Sequence, residues 1–127
     1  MQQVYSPYGQ YRLQKNHVIA SADRVTLIAM LLEGALSYNK KALLALEDKN
    51  EVMALESIDY AVRIVLHLYA CLNFEDGGEI ADRLGKLYNY VCNQYISWQK
   101  NLKNTAAIES INNILGTIYE GWKQLPR

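Results

Sequence analysis

Only two prolines occur in this 127-residue chain, Pro7 and Pro126, and both sit near its ends. Proline removes a backbone donor and breaks a helix interior, so the long proline-free stretch between them is free to be helical. No segment alternates apolar and polar residues long enough to make a strand. Apolar residues recur instead at three- and four-residue spacing, the signature of amphipathic helices.

Four helices follow from that spacing. The first starts at Asp23 or Ser21, both good N-caps, and runs to about Leu46. Its stripe is Val25, Ile28, Leu32, Leu36, Leu43 and Leu46. The polar run Glu47-Asp48-Lys49-Asn50 ends it. The second runs from about Glu51 to Leu72, with stripe Leu55, Ile58, Val62, Val65, Tyr69 and Leu72. Asn73-Phe74-Glu75-Asp76-Gly77-Gly78-Glu79 is the clearest break in the chain, because a glycine pair tolerates positive φ and stops helices. The third helix runs from about Glu79 to Gln99, with stripe Ile80, Leu84, Leu87, Val91, Gln94 or Tyr95, and Trp98. Asn104 caps a fourth helix to about Trp122, striped by Ile108, Ile111, Leu115, Ile118 and Trp122.

Short connections make sequential helices antiparallel. The expected fold is all-α: one domain over 1–127, an up-down four-helix bundle over 21–123 with a short N-terminal arm or extra helix over 1–20. Half the residues are apolar, enough for one core.

Composition excludes several function classes. Thirteen basic and thirteen acidic residues give zero net charge, which argues against nucleic-acid binding and electrostatic membrane attachment. The longest apolar run, Leu27 to Leu32, is far short of the roughly 20 residues a membrane span needs. The N-terminus has no apolar h-region, so no signal peptide is expected and the chain reads as cytoplasmic.

Catalysis finds little support. His17 and His67 are the only histidines. A bundle di-metal site needs Glu-x-x-His pairs, and the residues three before them are Gln14 and Ile64. Cys71 and Cys92, counted from the Gly77 turn, are offset by about 13 Å along an antiparallel pair. That is too far for a disulfide, so two reduced cysteines are expected. No Cys-x-x-Cys, P-loop or Gly-x-Gly-x-x-Gly occurs. The expectation is no enzyme, no metal and no cofactor.

What remains is apolar surplus. Leu27, Leu31 and Tyr38 form a second stripe on the first helix. Ile64, Leu68 and Cys71 do so on the second, Tyr88, Cys92 and Tyr95 or Ile96 on the third, and Ala107 and Ile114 on the fourth. Such surplus fits broad buried faces, a homodimer interface, or grooves for another protein's amphipathic helix. Gly34, Gly85, Gly116 and Gly121 suit either internal packing or close approach of a partner. Ten tyrosines stand against one phenylalanine. Tyrosine is apolar in body and polar at its tip, so it suits surfaces that are alternately covered and exposed. Tyr5, Tyr8 and Tyr11 on the arm fit a displaceable lid.

Ala22-Asp23-Arg24-Val25-Thr26-Leu27-Ile28-Ala29-Met30-Leu31-Leu32-Glu33-Gly34-Ala35-Leu36, Leu72-Asn73-Phe74-Glu75-Asp76-Gly77-Gly78-Glu79-Ile80-Ala81 and Leu87-Tyr88-Asn89-Tyr90 carry a resemblance: the chain resembles the FliS family of flagellin export chaperones. Ala106-Ala107-Ile108-Glu109, Glu120-Gly121-Trp122, and the arm's Tyr11 with Asn16-His17-Val18 extend it over nearly the whole chain. Arg24, Leu32, Tyr60 and Thr105 depart from residues common in the family.

The resemblance implies a cytoplasmic helical bundle without enzymatic activity. It would bind the C-terminal segment of flagellin, prevent premature polymerisation and deliver it to the flagellar type III export gate. The alternative is a related chaperone or adaptor for another flagellar protein, a regulator or a co-chaperone. The residues expected to touch the client, taken from the arm and the second stripes, are Tyr5, Tyr8, Tyr11, Leu27, Leu31, Tyr38, Ile64, Leu68, Tyr88, Tyr95 and Ile114.

Overall fold

In the computed structural model residues 21–125 are described, their side chains from residue 24 onward. The described chain forms α1 (Ser21–Glu47), α2 (Glu51–Ala70), α3 (Phe74–Lys100) and α4 (Thr105–Lys123), with no strand among the described residues. α1 packs on α2 and α4, and α3 packs on α2 and α4, so the helices close into a ring of four. The expected all-α four-helix architecture is the one observed.

Local chemistry fixes the links. Lys49 adopts φ 58°, the left-handed conformation that ends α1. Its N–H bonds Leu46 O at 3.0 Å, and Asn50 N–H bonds Ala45 O at 2.8 Å, the paired contacts of a Schellman stop. Asn50 then caps α2 by accepting from Met53 N. Asn73 caps α3 by accepting from Glu75 N and Asp76 N, each at 3.1 Å. Asn104 caps α4 by accepting from Ala107 N. Three asparagines therefore satisfy helix-start donors that would otherwise lack partners.

The second link differs in detail from the sequence expectation. α2 ends at Ala70, where Cys71 N–H is shared between the His67 and Leu68 carbonyls. The Asn73 cap then supports a helical turn from Phe74 before the glycine pair. Gly78, at φ 53° and ψ −127°, breaks α3 immediately afterwards. A Cβ on Gly77 would lie 2.8 Å from Ala81 Cβ, so that position also needs glycine. The predicted break is present, but it kinks α3 instead of preceding it.

The core differs more. α1 and α2 bury Ala35, Ala42, Ala45, Ala54, Ser57 and Ala61 and pack more intimately than any other pair. Short side chains permit this approach. Leu27, Leu31, Ile64 and Leu68 fill the same core with Ile58 and Val65. On α3 the buried row is Ala81, Gly85, Tyr88, Val91, Tyr95 and Trp98. Several residues expected inside are outside: Leu55, Tyr69, Ile80 and Leu87 are all exposed. Stripe arithmetic favours large aliphatic residues, whereas these helices meet on small and aromatic ones.

One polar chain crosses the core. Tyr95 Oη–H donates to Asn39 Oδ1 at 2.6 Å, and Asn39 Nδ2 donates to Asn112 Oδ1 at 2.9 Å. Asn39 and Tyr95 are both 0% exposed, so these bonds replace the water the groups lost. The relay ties α1 to α3 and α4.

Tyr95→Phe leaves Asn39 Oδ1 without its donor and should cost about 1–3 kcal/mol in urea unfolding. Tyr90 is exposed and only accepts a 3.4 Å bond from Ser110 Oγ–H. Tyr90→Phe should stay within about 0.5 kcal/mol of the parent.

The buried phenols set an alkaline limit. Burial, with a smaller contribution from the Cys71 charge, pushes the Tyr88 phenol up to about 12. Burial also raises Tyr95, against the opposing hydrogen bond with Asn39. An unfolded phenol ionises near pH 10. The folded state therefore keeps protons that the unfolded chain gives up, and this stability is complete below about pH 10 and lost as pH rises through about 12. The urea midpoint should be level from about pH 7 to 9 and fall above about pH 10. Tyr88→Phe should lose less stability over the alkaline range than the parent.

Candidate partner-binding surface

The residues expected to contact a partner divide into three groups. Leu27, Leu31, Ile64, Leu68, Tyr88 and Tyr95 are buried in the core, with Leu31 only 1% exposed. A partner meeting the folded bundle cannot touch these side chains, because α1, α2 and α3 pack over them. In the folded bundle they hold the helices together. Tyr38 and Ile114 are half-buried at its edge and remain reachable. Tyr5, Tyr8 and Tyr11 lie outside the described residues.

The accessible apolar surface includes four residues that stripe arithmetic placed inside, Leu55, Tyr69, Ile80 and Leu87. One apolar part lies between α3 and α4. Ile80, Leu84, Ile118, Gly121, Trp122 and Leu125 line an open cavity of about 440 Å³. Ile80 is 71% exposed and Leu87, one turn beyond Leu84, is also exposed. On α3, Ile80, Leu84 and Leu87 follow at four- and three-residue steps. On α4, Ile114, Ile118 and Gly121 do the same, and Leu125 follows just past its end. Two parallel apolar edges at helical spacing make a trough that an amphipathic helix fits.

A second apolar row runs along α2 and α3. Leu55, Leu66 and Tyr69 are exposed on α2, with half-buried Val62 between them, and Ile96 is exposed on α3. Phe74 lies at the end of this row. Its ring stands 5.9 Å from that of Tyr69, tilted by 58°. A Cβ on Gly85 would meet the Phe74 ring at 3.3 Å, so Gly85 is the seat for Phe74.

That contact separates the roles of Gly34, Gly85, Gly116 and Gly121. Gly85 serves internal packing. A Cβ on Gly34 would touch Ile64 Cδ1 at 3.4 Å, so Gly34 also lies against the bundle. Gly116 and Gly121 have open space where a Cβ would stand. Glycine inside a helix costs about 1 kcal/mol relative to alanine. At Gly121 internal packing gives no reason for that cost, and the residue lies in the α3/α4 trough.

The trough's surroundings carry self-compensated charge. Arg83 pairs with Glu79 at 3.1 Å and Lys123 with Glu120 at 3.6 Å, all four largely exposed. Such pairs contribute little to stability. They leave the trough essentially apolar. On the opposite flank of α4, Tyr119 Oη–H donates to Glu33 Oε2 at 3.0 Å, which raises the Tyr119 phenol.

The groups associated with chemistry are dispersed. Cys71, just past the end of α2, and Cys92 on α3 are half-buried and form no disulfide, and burial pushes the Cys92 thiol up. His67 is half-buried in the last turn of α2, and His17 lies outside the described residues. Among the described residues no cluster of three or more His, Cys, Asp or Glu side chains is placed to hold a metal ion. No described helix is long and apolar enough to cross a membrane.

Comparison with known proteins agrees with the motifs. A family model described as flagellar protein FliS matches residues 5–127. The flagellar secretion chaperone FliS of Salmonella typhimurium is 40% identical over 120 residues, which cover 93% of this chain and 86% of that protein. The flagellar secretion chaperone FliS of Vibrio cholerae is 30% identical over 109 residues, covering 85% of this chain and 79% of the relative. That of Escherichia coli is 30% identical over 108 residues, covering 84% and 78%. A match across nearly the whole chain, on an all-α bundle with an exposed helix-sized trough, places this chain in the FliS family of flagellar proteins.

Proposed function

We propose that this chain acts in the cytoplasm as a flagellar secretion chaperone for flagellin, holding its C-terminal helical segment and delivering it to the type III export apparatus. The observation that carries the reading is the apolar trough between α3 and α4. A flagellin segment with apolar side chains at three- and four-residue spacing would exchange water for contact with Ile80, Leu84, Leu87, Ile118, Trp122 and Leu125. Each well-covered aliphatic anchor contributes at most about 1.5–3 kcal/mol before ordering costs. Several anchors together suffice for a stable but reversible complex, as delivery requires.

The row Leu55, Leu66, Tyr69 and Ile96 extends the contact around α2 in this reading, so that the client wraps the bundle as more than one short helix. Tyr38 and Ile114 stay among the proposed contacts. Tyr5, Tyr8 and Tyr11 take the part of a displaceable cover. The reaction is association alone. Hiding the client's apolar face blocks polymerisation because the same face cannot serve both contacts.

Titration calorimetry of the purified chain with the C-terminal segment of flagellin tests this. The expected result is a 1:1 complex with a large negative heat-capacity change, the mark of apolar burial. Ile80→Asp combined with Leu87→Asp should weaken binding by at least about tenfold, or about 1.4 kcal/mol, with helicity unchanged. Leu31→Asp, by contrast, should unfold the bundle, because it buries a charge without a partner. Parental affinity in the Ile80→Asp/Leu87→Asp variant would overturn the assignment of the trough.

A further inference from the structure

The α4 wall of the trough has one gap. Thr117, Ile118, Trp122 and Leu125 line it with side chains, and Gly121 lines it with none. A Cβ built on Gly121 would meet nothing within 4 Å, so no neighbour in the bundle fills the space. The backbone gives no reason for glycine either. Among the described residues Gly78 is the glycine with positive φ, and α4 ends at Gln124 in a right-handed conformation, so Gly121 does not stop the helix. Alanine would fit the open space and favours a helix more than glycine does. The free bundle therefore gains nothing from glycine here, whereas an occupant of the trough does.

The surroundings of the gap are set before anything enters it. Leu84, Ile118 and Trp122 are half-buried and packed against the core, so they make a floor that the bundle holds in place. Ile80 and Leu125 are exposed and stand as rims on the two helices. The polar groups nearby are already engaged. Thr117 Oγ1–H donates to Asn113 O at 2.7 Å, and Gly121 O accepts from Gln124 N–H at 3.3 Å. A polar side chain entering the gap would lose water without gaining a matching bond, so the gap selects an apolar one.

We propose that Gly121 is a specificity-determining notch, which admits one large apolar side chain of the client segment, of leucine, methionine or phenylalanine size, against Ile118 and Trp122. The inference rests on the trough being the seat of that segment. Anchors along the trough add affinity in several registers, because apolar contact is not directional. The notch chooses among them. One residue of a docked helix stands over Gly121, and a slip of one turn, about 5.4 Å, replaces it by another. A segment that lacks a large apolar residue at that step leaves the notch empty and loses its contacts.

Titration calorimetry tests this with flagellin C-terminal segments in which one large apolar residue at a time is cut back to alanine. Gly121→Leu fills the notch from within. It should keep the parental helicity and urea midpoint and weaken the full segment by at least about tenfold. Gly121→Ala should weaken it by less, and it carries the same comparison if the larger side chain disturbs α4. One truncated segment should bind the parent about tenfold more weakly, yet bind the Gly121→Leu chain at least as well as the full segment does. That rescue identifies the residue in the notch. Gly116 has the same open space but does not line the trough, so Gly116→Ala should leave the affinity unchanged. Parental affinity in Gly121→Leu and Gly121→Ala, with Ile80→Asp/Leu87→Asp still weakened, would overturn the notch and leave the trough standing. Parental affinity in all of these variants would remove trough and notch together. A loss at Gly121 that no truncation rescues, or an equal loss in Gly116→Ala, would also overturn the proposal.

Discussion

The close seam between α1 and α2 sets the rest of the molecule. Ala35, Ala42 and Ala45 on one helix and Ala54, Ser57 and Ala61 on the other are all buried. Helices that meet on such short side chains come near each other, and larger residues on adjacent positions are turned away from the contact. Leu44, Met53 and Leu55 are therefore exposed although they are as apolar as the core. The tight link at Lys49 and Asn50 supports the seam, since one residue stops α1 and the next caps α2. An apolar exterior follows from the way the interior is packed.

Aromatic side chains fill what the alanines leave. Tyr88, Tyr95 and Trp98 are among the largest fully buried side chains, all on α3. Tyr95 also carries the one buried polar relay described, through Asn39 to Asn112. Buried polar groups penalise any packing that separates them, so the relay favours one register of α1 against α3 and α4. The core thereby combines nondirectional apolar burial with a directional constraint. A scaffold fixed in this way can present an exposed trough without closing over it.

Much of the architecture was legible in the residues. Four helical stretches, the start of α2 at Glu51, the cap at Asn104 and the break at Gly77-Gly78 all follow from local chemistry. The buried faces were less legible. A row of Ile80, Leu84 and Leu87 reads as core on hydrophobicity alone, and so does Leu55. In the first half of α3 the buried side is rotated by about one residue, onto Ala81, Gly85 and Tyr88, while Val91, Tyr95 and Trp98 farther on are buried as the stripe has them. Only the size of the facing residues distinguishes the two rows, and that depends on which helices become neighbours. The same ambiguity placed Leu31 and Leu68 on the surface and Ile80 in the core. The surplus of apolar residues was legible, but which side of each helix carries it was not. Gly121 held a usable signal, because a helical glycine beside Trp122 and Leu125 has no packing reason once its neighbours are known.

A core built on alanine and tyrosine carries an external apolar trough, the proposed seat of the client segment. The most direct measurement is nuclear magnetic resonance of methyl- and amide-labelled chain as unlabelled flagellin C-terminal segment is added. The account predicts large shifts at Ile80, Leu84, Leu87 and Ile118 and at the Trp122 indole. Resonances of Leu31, Val65, Leu68 and the Asn39 side-chain amide should stay nearly fixed. Large shifts or broadening throughout that interior set, with the α3/α4 positions unmoved, would contradict it. The client would then enter by opening the bundle, and the trough would not be its binding site.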